Sequence, residues 1–403
     1  MSRLPLEVAD VFRDHARDFL DACGGIVSFA KRKVLRALIA CRTAALGGHR
    51  YTCSAKCGYE HFVYKPCGNR HCPKCQAAAR AEWLQARAED LLAVEYFHVV
   101  FTLPPALAEI ALQNKKVMYD ILFKASADTL KTIAADPKHL GAELGFIGLL
   151  HTWGQNLHHH PHIHYVVPGG GLSPDGKTWV SCRPGFFLPV HVLGRLFRGK
   201  FLDFVRRAFD RGDLSFQGRL APLDDPDAFA AHLAPTYDTD WVVYAKPPFG
   251  GPAQALKYLA RYTHRVAISN QRLVSLEDGK VRLRYKDYAR GNRLRLLTLS
   301  ASEFIRRFLL HVLPKAFVRI RHFGFLANSV RAKKLPQCRK LLEATGVDTP
   351  SLDDIVPAFA WDGTIDMPGS PCPNCGKGHI VRHVLDPVAN ADPYATPLGI
   401  DSS

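Results

Sequence analysis

Two histidines, His162 and His164, flank Ile163 in the run HHHPHIHYVV. If that run is a strand, side chains alternate between its faces and both imidazoles leave the same one. Two imidazoles on one face make half a metal site, suited to Mn, Zn, Ni or Fe, and to Mg where phosphate and water complete the shell. His158, His159 and His160 precede them, so a polar loop with incidental histidines stays open as the alternative. A second constellation lies in GGPAQALKYLARYTHRVAISN, where Gly251 and Pro252 suit the start of a helix and Tyr258 and Tyr262 stand four apart on one face. Lys257, Arg261 and Arg265 are interleaved with them. Phenols among cations could attack a phosphodiester whose backbone the cations hold, given activation of a group whose free pKa is about 10. Metal polarisation of the phosphate would supply that activation. Two aromatics on the buried stripe of an amphipathic helix is the plainer reading of the same spacing.

Sulfur ligands form a third group. Cys53-x3-Cys57 and Cys72-x2-Cys75 offer two ligand pairs on two turns, the pattern a tetrahedral zinc site needs. Gly58 and Pro73 serve as turn-formers. Cys67 and His71 lie between the pairs, and either could replace one of the four ligands. Cys372-x2-Cys375 is a half-site that His379 and His383 could complete, or a simple turn. Zinc held in this way stabilises a small fold, so its expected role is structural and DNA-docking. Gly171 to Thr178 spells the P-loop pattern. Thr178, however, runs into the strand-like WVSC and PDG reads as a hairpin turn, so no nucleotide site is expected there.

The elements that must position these groups follow from periodicity. VADVFRDHARDFLDAC and FAKRKVLRALIACRTAAL carry apolar residues three and four apart and read as helices, as do QAAARAEWLQARAEDLLA and KVMYDILFKASADTLKTIAA. FHVVFT, stopped by Pro104-Pro105, reads as a buried strand, and LGFIGLLHTWG, HIHYVVPGGG, WVSC and WVVYAK as further strands. QRLVSLEDGKVRLRYKDY is a hairpin turning at Asp-Gly. Together they indicate mixed helix and sheet with an antiparallel component.

At 403 residues the chain holds more than one domain, and 53 Lys and Arg against 37 Asp and Glu leave a charge of +16. That excess points to a polyanion, nucleic acid or an anionic membrane surface. No run of about 18 apolar residues is present and the N-terminus lacks a signal peptide's apolar stretch, so a cytoplasmic protein is expected. Crowding of cysteines between Cys53 and Cys75 then favours metal over disulfides. The basic residues concentrate between about Lys280 and Lys340, where Arg282, Arg284, Arg290, Arg293 and Arg295 are candidates for clamping a DNA backbone.

His162-Ile163-His164 resembles the His-hydrophobic-His (HUH) motif, and Tyr258 with Tyr262 the paired tyrosines, of the rolling-circle transposases of the insertion sequence 91 type. ACRTAALGGHRYTC, GNRHCPKCQ, FTLPPAL, LHTWGQNLHHHPHIHYVVPGGGL, WVSCRPGFFLPV, KYLARYTHRVAISN, IRHFGFLAN and CPNCGKGH extend the resemblance over residues 35 to 385. It implies an α+β fold with an HUH endonuclease-type central antiparallel sheet, flanking helices and an N-terminal helical, zinc-binding module. His162 and His164 would lie on a middle strand and bind Mg or Mn, with the tyrosine helix packed across it. Gln254 is the candidate third ligand, with Gln155 and Asn156 as alternatives. Tyr258 or Tyr262 would attack single-stranded DNA at the element's ends or target, form a 5′-phosphotyrosine and free a 3′-hydroxyl. Lys257, Arg261 and Arg265 would hold the DNA, and the enzyme would sit at the bacterial nucleoid. The expected divisions are 1–88 (helices and zinc module), 89–275 (catalytic), 276–345 (basic) and 346–403 (irregular tail). A plasmid relaxase or replication initiator with the same chemistry, or a zinc-containing DNA-binding regulator without enzymatic activity, are the rival readings.

Overall fold

The computed structural model describes residues 6–24, 26–76, 83, 87, 89–249, 255, 267–287, 291–344 and 368–388. Apolar residues at helical spacing set the first two elements: α1 (Val8–Ala22) buries Val8, Val11, Phe12, Ala16 and Phe19, and α2 (Phe29–Ala40) buries Val34, Leu35, Leu38 and Ile39. The strands β1 (Gly48–Cys53), β2 (Glu60–Tyr64) and β3 (Tyr96–Thr102) follow, then α3 (Ala108–Gln113), α4 (Lys115–Ala135), β4 (Gly145–Trp153) and β5 (His159–Pro168). Next come β6 (Gly170–Leu172), β7 (Trp179–Ser181), α5 (Val190–Asp210), α6 (Pro226–Asp238) and β8 (Val243–Phe249). The chain continues through β9 (Leu273–Glu277), β10 (Lys280–Asp287), β11 (Arg293–Ser300), α7 (Ala301–Leu310), β12 (Ile320–Gly324), α8 (Arg331–Glu343) and β13 (Ile380–Leu385). The helix expected over QAAARAEWLQARAEDLLA lies mostly outside the described residues; Trp83 and Arg87 are helical.

Contacts divide the chain into two units, each assembled from separated segments: Met1–Ala79, Arg265–Val312 and Ala358–Ser403 in one, Arg80–His264 and Leu313–Pro357 in the other. This corrects two expectations. The basic stretch 276–345 does not form a unit of its own but is shared between the two. Nor is the tail irregular throughout, because β13 pairs antiparallel with β1 over six residues, from Gly48↔Leu385 to Cys53↔Ile380. Its backbone groups find their partners about 330 positions away in sequence, a distance no local pattern reports.

In the first unit, β1 lies between β13 and β2, and β10 between β11 and β9. The β9–β10 turn places Asp278 and Gly279 at φ 49° and 67°, both in the left-handed region that the Asp-Gly pair tolerates. Phe12 of α1 packs edge-on to Phe308 of α7, with centroids 5.1 Å apart.

The second unit is built on a five-stranded sheet in the order β12-β4-β5-β3-β8, antiparallel at every step. Alternation sorts its side chains. Phe97, Val99 and Phe101 of β3, Phe146 and Leu150 of β4, and Ile163, Tyr165 and Val167 of β5 join the core that Leu122, Phe123 and Leu130 of α4 and Phe197 and Phe201 of α5 complete. Each such fully buried side chain contributes roughly 1.5–3 kcal/mol. Gly148 has a positional reason: a Cβ there would come within 2.5 Å of the Tyr165 ring. The opposite face carries Ile147, Leu149 and Val166, in one cluster with Phe325, Leu335 and Ala255, and it also carries the histidines.

β6 and β7 form the hairpin expected in place of a P-loop, with Gly176 at φ 70° in its turn.

Candidate metal centres and nucleic-acid interface

β5 is the middle strand of its sheet, and His162 and His164 share one of its faces. Directly opposite His162 in the β4–β5 ladder stands His151. The three side chains offer ligand nitrogens all within 4.8 Å of one another. Ring centroids lie 4.5 Å apart for His151 and His164, and 4.7 Å for His162 and His164. Three imidazoles this close disfavour protonation, and burial pushes the His162 pKa down to about 4. Neutral imidazole is the ligand form.

One further ring nitrogen each of His162 and His164 is engaged. His162 Nδ1 donates to the His160 carbonyl at 2.7 Å, which leaves Nε2 as its ligand atom. His164 Nδ1 lies 2.7 Å from Nε2 of His98, a buried histidine on neighbouring β3. If His164 coordinates through Nε2, its proton sits on Nδ1 and donates to His98, the outer contact that orients a metal-bound histidine. His151 stacks on Trp153, with centroids at 4.6 Å.

His151 is thus a third imidazole beside His162 and His164, one that the sequence reading, with Gln254, Gln155 and Asn156 as candidates, did not include. Gln155 and Asn156 lie in the turn between β4 and β5, where Asn156 contacts His158 at 3.1 Å. Gln254 lies outside the described residues, as do Lys257, Tyr258, Arg261, Tyr262 and Arg265. Within that stretch Ala255 is described: it is helical and fully buried, in the cluster with Ile147, Leu149 and Val166 on the histidine face.

The cysteines gather into two groups of four, so the single site formed by Cys53, Cys57, Cys72 and Cys75 needs correction. Cys72 and Cys75 meet Cys41 and Cys67, while Cys53 and Cys57 meet Cys372 and Cys375. In the first group the Sγ separations are 3.6 Å for Cys41–Cys72, 3.7 Å for Cys41–Cys75 and 3.6 Å for Cys67–Cys75. In the second they are 3.6 Å for both Cys53–Cys375 and Cys57–Cys372. Four thiolates about 2.3 Å from a tetrahedral zinc lie roughly 3.8 Å apart, whereas a disulfide needs about 2.05 Å. The observed spacing is that of a tetrathiolate site.

Cys41 caps the C-terminus of α2, and Cys72 precedes a helical turn that carries Cys75. His71 stays outside the group and contacts the Asn69 side chain at 3.1 Å. His379 and His383 are also outside, within reach of Ser54 Oγ at 3.1 Å and Thr52 Oγ1 at 2.8 Å. Backbone and Asn374 hydrogen bonds to its sulfur bring the Cys57 pKa down to about 6.

The basic candidates divide by strand parity. Lys280, Arg282, Arg284 and Lys286 alternate along one exposed face of β10, beside the exposed Leu294 and Leu296 of β11. Arg293 and Arg295 have the opposite parity, and Arg295 pairs with Asp287 at 3.3 Å. Arg290 lies outside the described residues.

An antiparallel sheet with three histidines on its central strands, together with a module of clustered cysteines and a strong positive charge, defines a metal-binding α+β protein suited to a polyanionic substrate. Two family descriptions match it: "Transposase zinc-binding domain" over residues 11–103 and "Putative transposase" over residues 145–334. The chain is 54% identical to "Putative transposase y4qJ" of Sinorhizobium fredii over 385 residues, 94% of this chain and 96% of the relative. It is 31% identical over 328 residues to the "Transposase for insertion sequence element IS801" of Pseudomonas savastanoi pv. phaseolicola, 78% of this chain and 75% of that one. The chain belongs to the insertion sequence 91 family of transposases, DNA-processing proteins with a zinc-binding module. No solved structure matches it. Among the described residues no helix is long and apolar enough to cross a membrane.

Proposed function

We propose that this transposase nicks and rejoins single-stranded DNA at transposon ends and target through a 5′-phosphotyrosine, in rolling-circle transposition, as a DNA strand transferase acting at the bacterial nucleoid. The observation that carries this reading is the group His151, His162 and His164 on the two adjacent central strands of the antiparallel sheet, with ligand atoms within 4.8 Å. A divalent ion held by these three would supply positive charge at the scissile phosphate. Three imidazoles suit Mn better than Mg, which relies more on oxygen ligands.

Tyr258 and Tyr262 are the proposed nucleophiles. Three peptide units separate Tyr258 from Ala255, so covalent geometry keeps their Cα atoms within roughly 11 Å. Ala255 itself is packed with Ile147, Leu149 and Val166 on the histidine face. In the cleavage step the phenolate oxygen bonds to phosphorus and the P–O3′ bond breaks. The 3′-oxygen leaves as an alkoxide that takes up a proton. The phosphodiester is exchanged for a phosphotyrosine ester, so rejoining by a 3′-hydroxyl needs no nucleotide. Lys257, Arg261, Arg265, Arg282, Arg284, Arg290, Arg293 and Arg295 are proposed to hold the backbone, which requires charge and no sequence readout. Cys41, Cys67, Cys72 and Cys75 are proposed to hold the zinc of the matched module.

The test is incubation with end-labelled single-stranded DNA from the element's termini and Mn or Mg, followed by a denaturing gel and peptide mapping of adducts. A covalent adduct on Tyr258 or Tyr262 is expected, lost on chelation and absent from a variant carrying both Tyr258→Phe and Tyr262→Phe. DNA binding with no cleavage and no adduct across several end sequences would overturn the reading in favour of a DNA-binding regulator.

A further inference from the structure

The zinc-binding family match ends at residue 103, yet Cys53 and Cys57 find their sulfur partners in Cys372 and Cys375. We infer that Cys53, Cys57, Cys372 and Cys375 bind a second zinc ion, which clasps the C-terminal segment onto the N-terminal module.

Local geometry on both sides is built for it. The first pair sits on a turn at the end of β1, where Lys56 has φ 51° and Gly58 φ 86°. The second sits on a tighter turn in which Gly376 N donates to the Cys372 carbonyl at 2.9 Å and Gly376 has φ 63°. Left-handed residues after the first cysteine turn the chain so that both sulfurs of a pair aim at one point. Asn374 Nδ2 approaches Cys57 Sγ at 3.6 Å, an outer contact to a thiolate ligand.

The two turns are brought together by backbone pairing that does not itself need metal. β13 continues directly from the second turn and pairs with β1 in unbroken register. Beyond that ladder, Ser54 N donates to the His379 carbonyl at 2.9 Å and His379 N to Ser54 Oγ at 3.0 Å. The approach is so close at Gly378 that a Cβ there would lie 2.5 Å from Cys53 Sγ. Only glycine admits the sulfur. Four sulfurs delivered by two turns at 3.6 Å spacing, with none in a disulfide, form a donor set that selects a soft tetrahedral cation. Each half contributes two ligands, so neither end of the chain holds the ion alone.

The inference does not depend on the nicking reaction, and its readouts are metal content and thiol protection. Purified full-length protein is predicted to hold two zinc per chain. A Cys372→Ser/Cys375→Ser variant and a Cys41→Ser/Cys67→Ser variant should each hold one. Cobalt exchanged into the wild type should give thiolate-to-metal absorption that falls by about half in either variant. Because a variant can fail to fold, the wild type supplies a second measurement. Cys53, Cys57, Cys372 and Cys375 should resist alkylation together in the native protein and become reactive together when a chelator is added. A proteolytic site near residues 368–388 should open in the same step. One zinc in the wild type would overturn the inference, as would a Cys372→Ser/Cys375→Ser variant that keeps two. So would Cys372 and Cys375 alkylating freely in native protein, or a disulfide between any of the four.

Discussion

His98 shows how far the histidine site extends beyond its three ligand candidates. It is buried on β3, and its Nε2 meets His164 Nδ1 at 2.7 Å, so it holds the ring of a ligand without facing the ion. Removing such an outer partner typically costs 10–100-fold in metal affinity. Calorimetric titration with Mn is therefore expected to show His98→Ala weakened by about that factor, and His151→Ala, which loses a ligand, with no measurable binding. Unchanged affinity in both would remove the ion from this site. The sequence pointed to His162 and His164 because alternation along one strand is a local rule. It did not point to His151, whose place opposite His162 depends on the register of a second strand, and register is set by packing rather than by spacing. The missed Cys41 was absorbed into a helical pattern that it ends. Counting alone would not have found it, because the chain has eleven cysteines and only the fold separates Cys41 from Cys23, Cys182 and Cys338, which join neither set of four.

At the scale of elements, β3, β4, β5, β7, β8 and the β9–β10 hairpin were legible because each is declared by a short apolar run and its turn residues, whereas β1, β2, β11, β12 and β13 were not read as strands. The pairing of β1 with β13 and the order of the five-stranded sheet were not legible either, since they join segments far apart in sequence. The face of β10 that carries Lys280, Arg282, Arg284 and Lys286 emerges only from strand parity, and it yields a quantitative expectation. Removing one phosphate-binding cation lowers the magnitude of the log–log salt slope by roughly 0.7 on single strands. Arg282→Ala/Arg284→Ala should thus flatten the slope by about 1.4 if both side chains bind phosphate. Fluorescence anisotropy of a labelled oligonucleotide from 50 to 200 mM salt, on the order of the range where such slopes are read, would measure it. An unchanged slope would take this face out of the DNA interface. Gly148 offers a packing test on β4: Gly148→Ala places a methyl against the Tyr165 ring, and overpacking of this kind destabilises by about 1–3 kcal/mol. Thermal unfolding should show a lower midpoint. A midpoint equal to wild type would mean that the ring can move aside.

The whole molecule is assembled from chain segments that leave one unit and return to it, which is why boundaries drawn consecutively along the sequence do not coincide with the units. Burial in the histidine-bearing unit also ties its stability to pH. His159 on β5 accepts from the Tyr119 hydroxyl at 2.8 Å and donates to the Ala108 carbonyl at 3.1 Å; His322 lies on β12. Burial pushes both pKa values down from the usual 6.5 to about 4, with the Lys115 charge adding to the effect at His159 and Arg87 and Arg331 at His322. In the unfolded chain both protonate near 6.5. Between pH 6.5 and about 4 the unfolded state consequently binds more protons than the folded one, and stability falls as the pH falls. Above that window both states are neutral at these residues and the contribution is constant; below it both are charged and the slope ends. Comparing wild type with a His159→Gln/His322→Gln variant cancels the carboxylates and metal sites common to both. The urea midpoint of the wild type should drop relative to the variant's as pH is lowered from 7 to about 4.5, inside the window that the depressed pKa values define. Parallel curves over that range would mean that these histidines protonate in the folded protein as readily as in the unfolded chain.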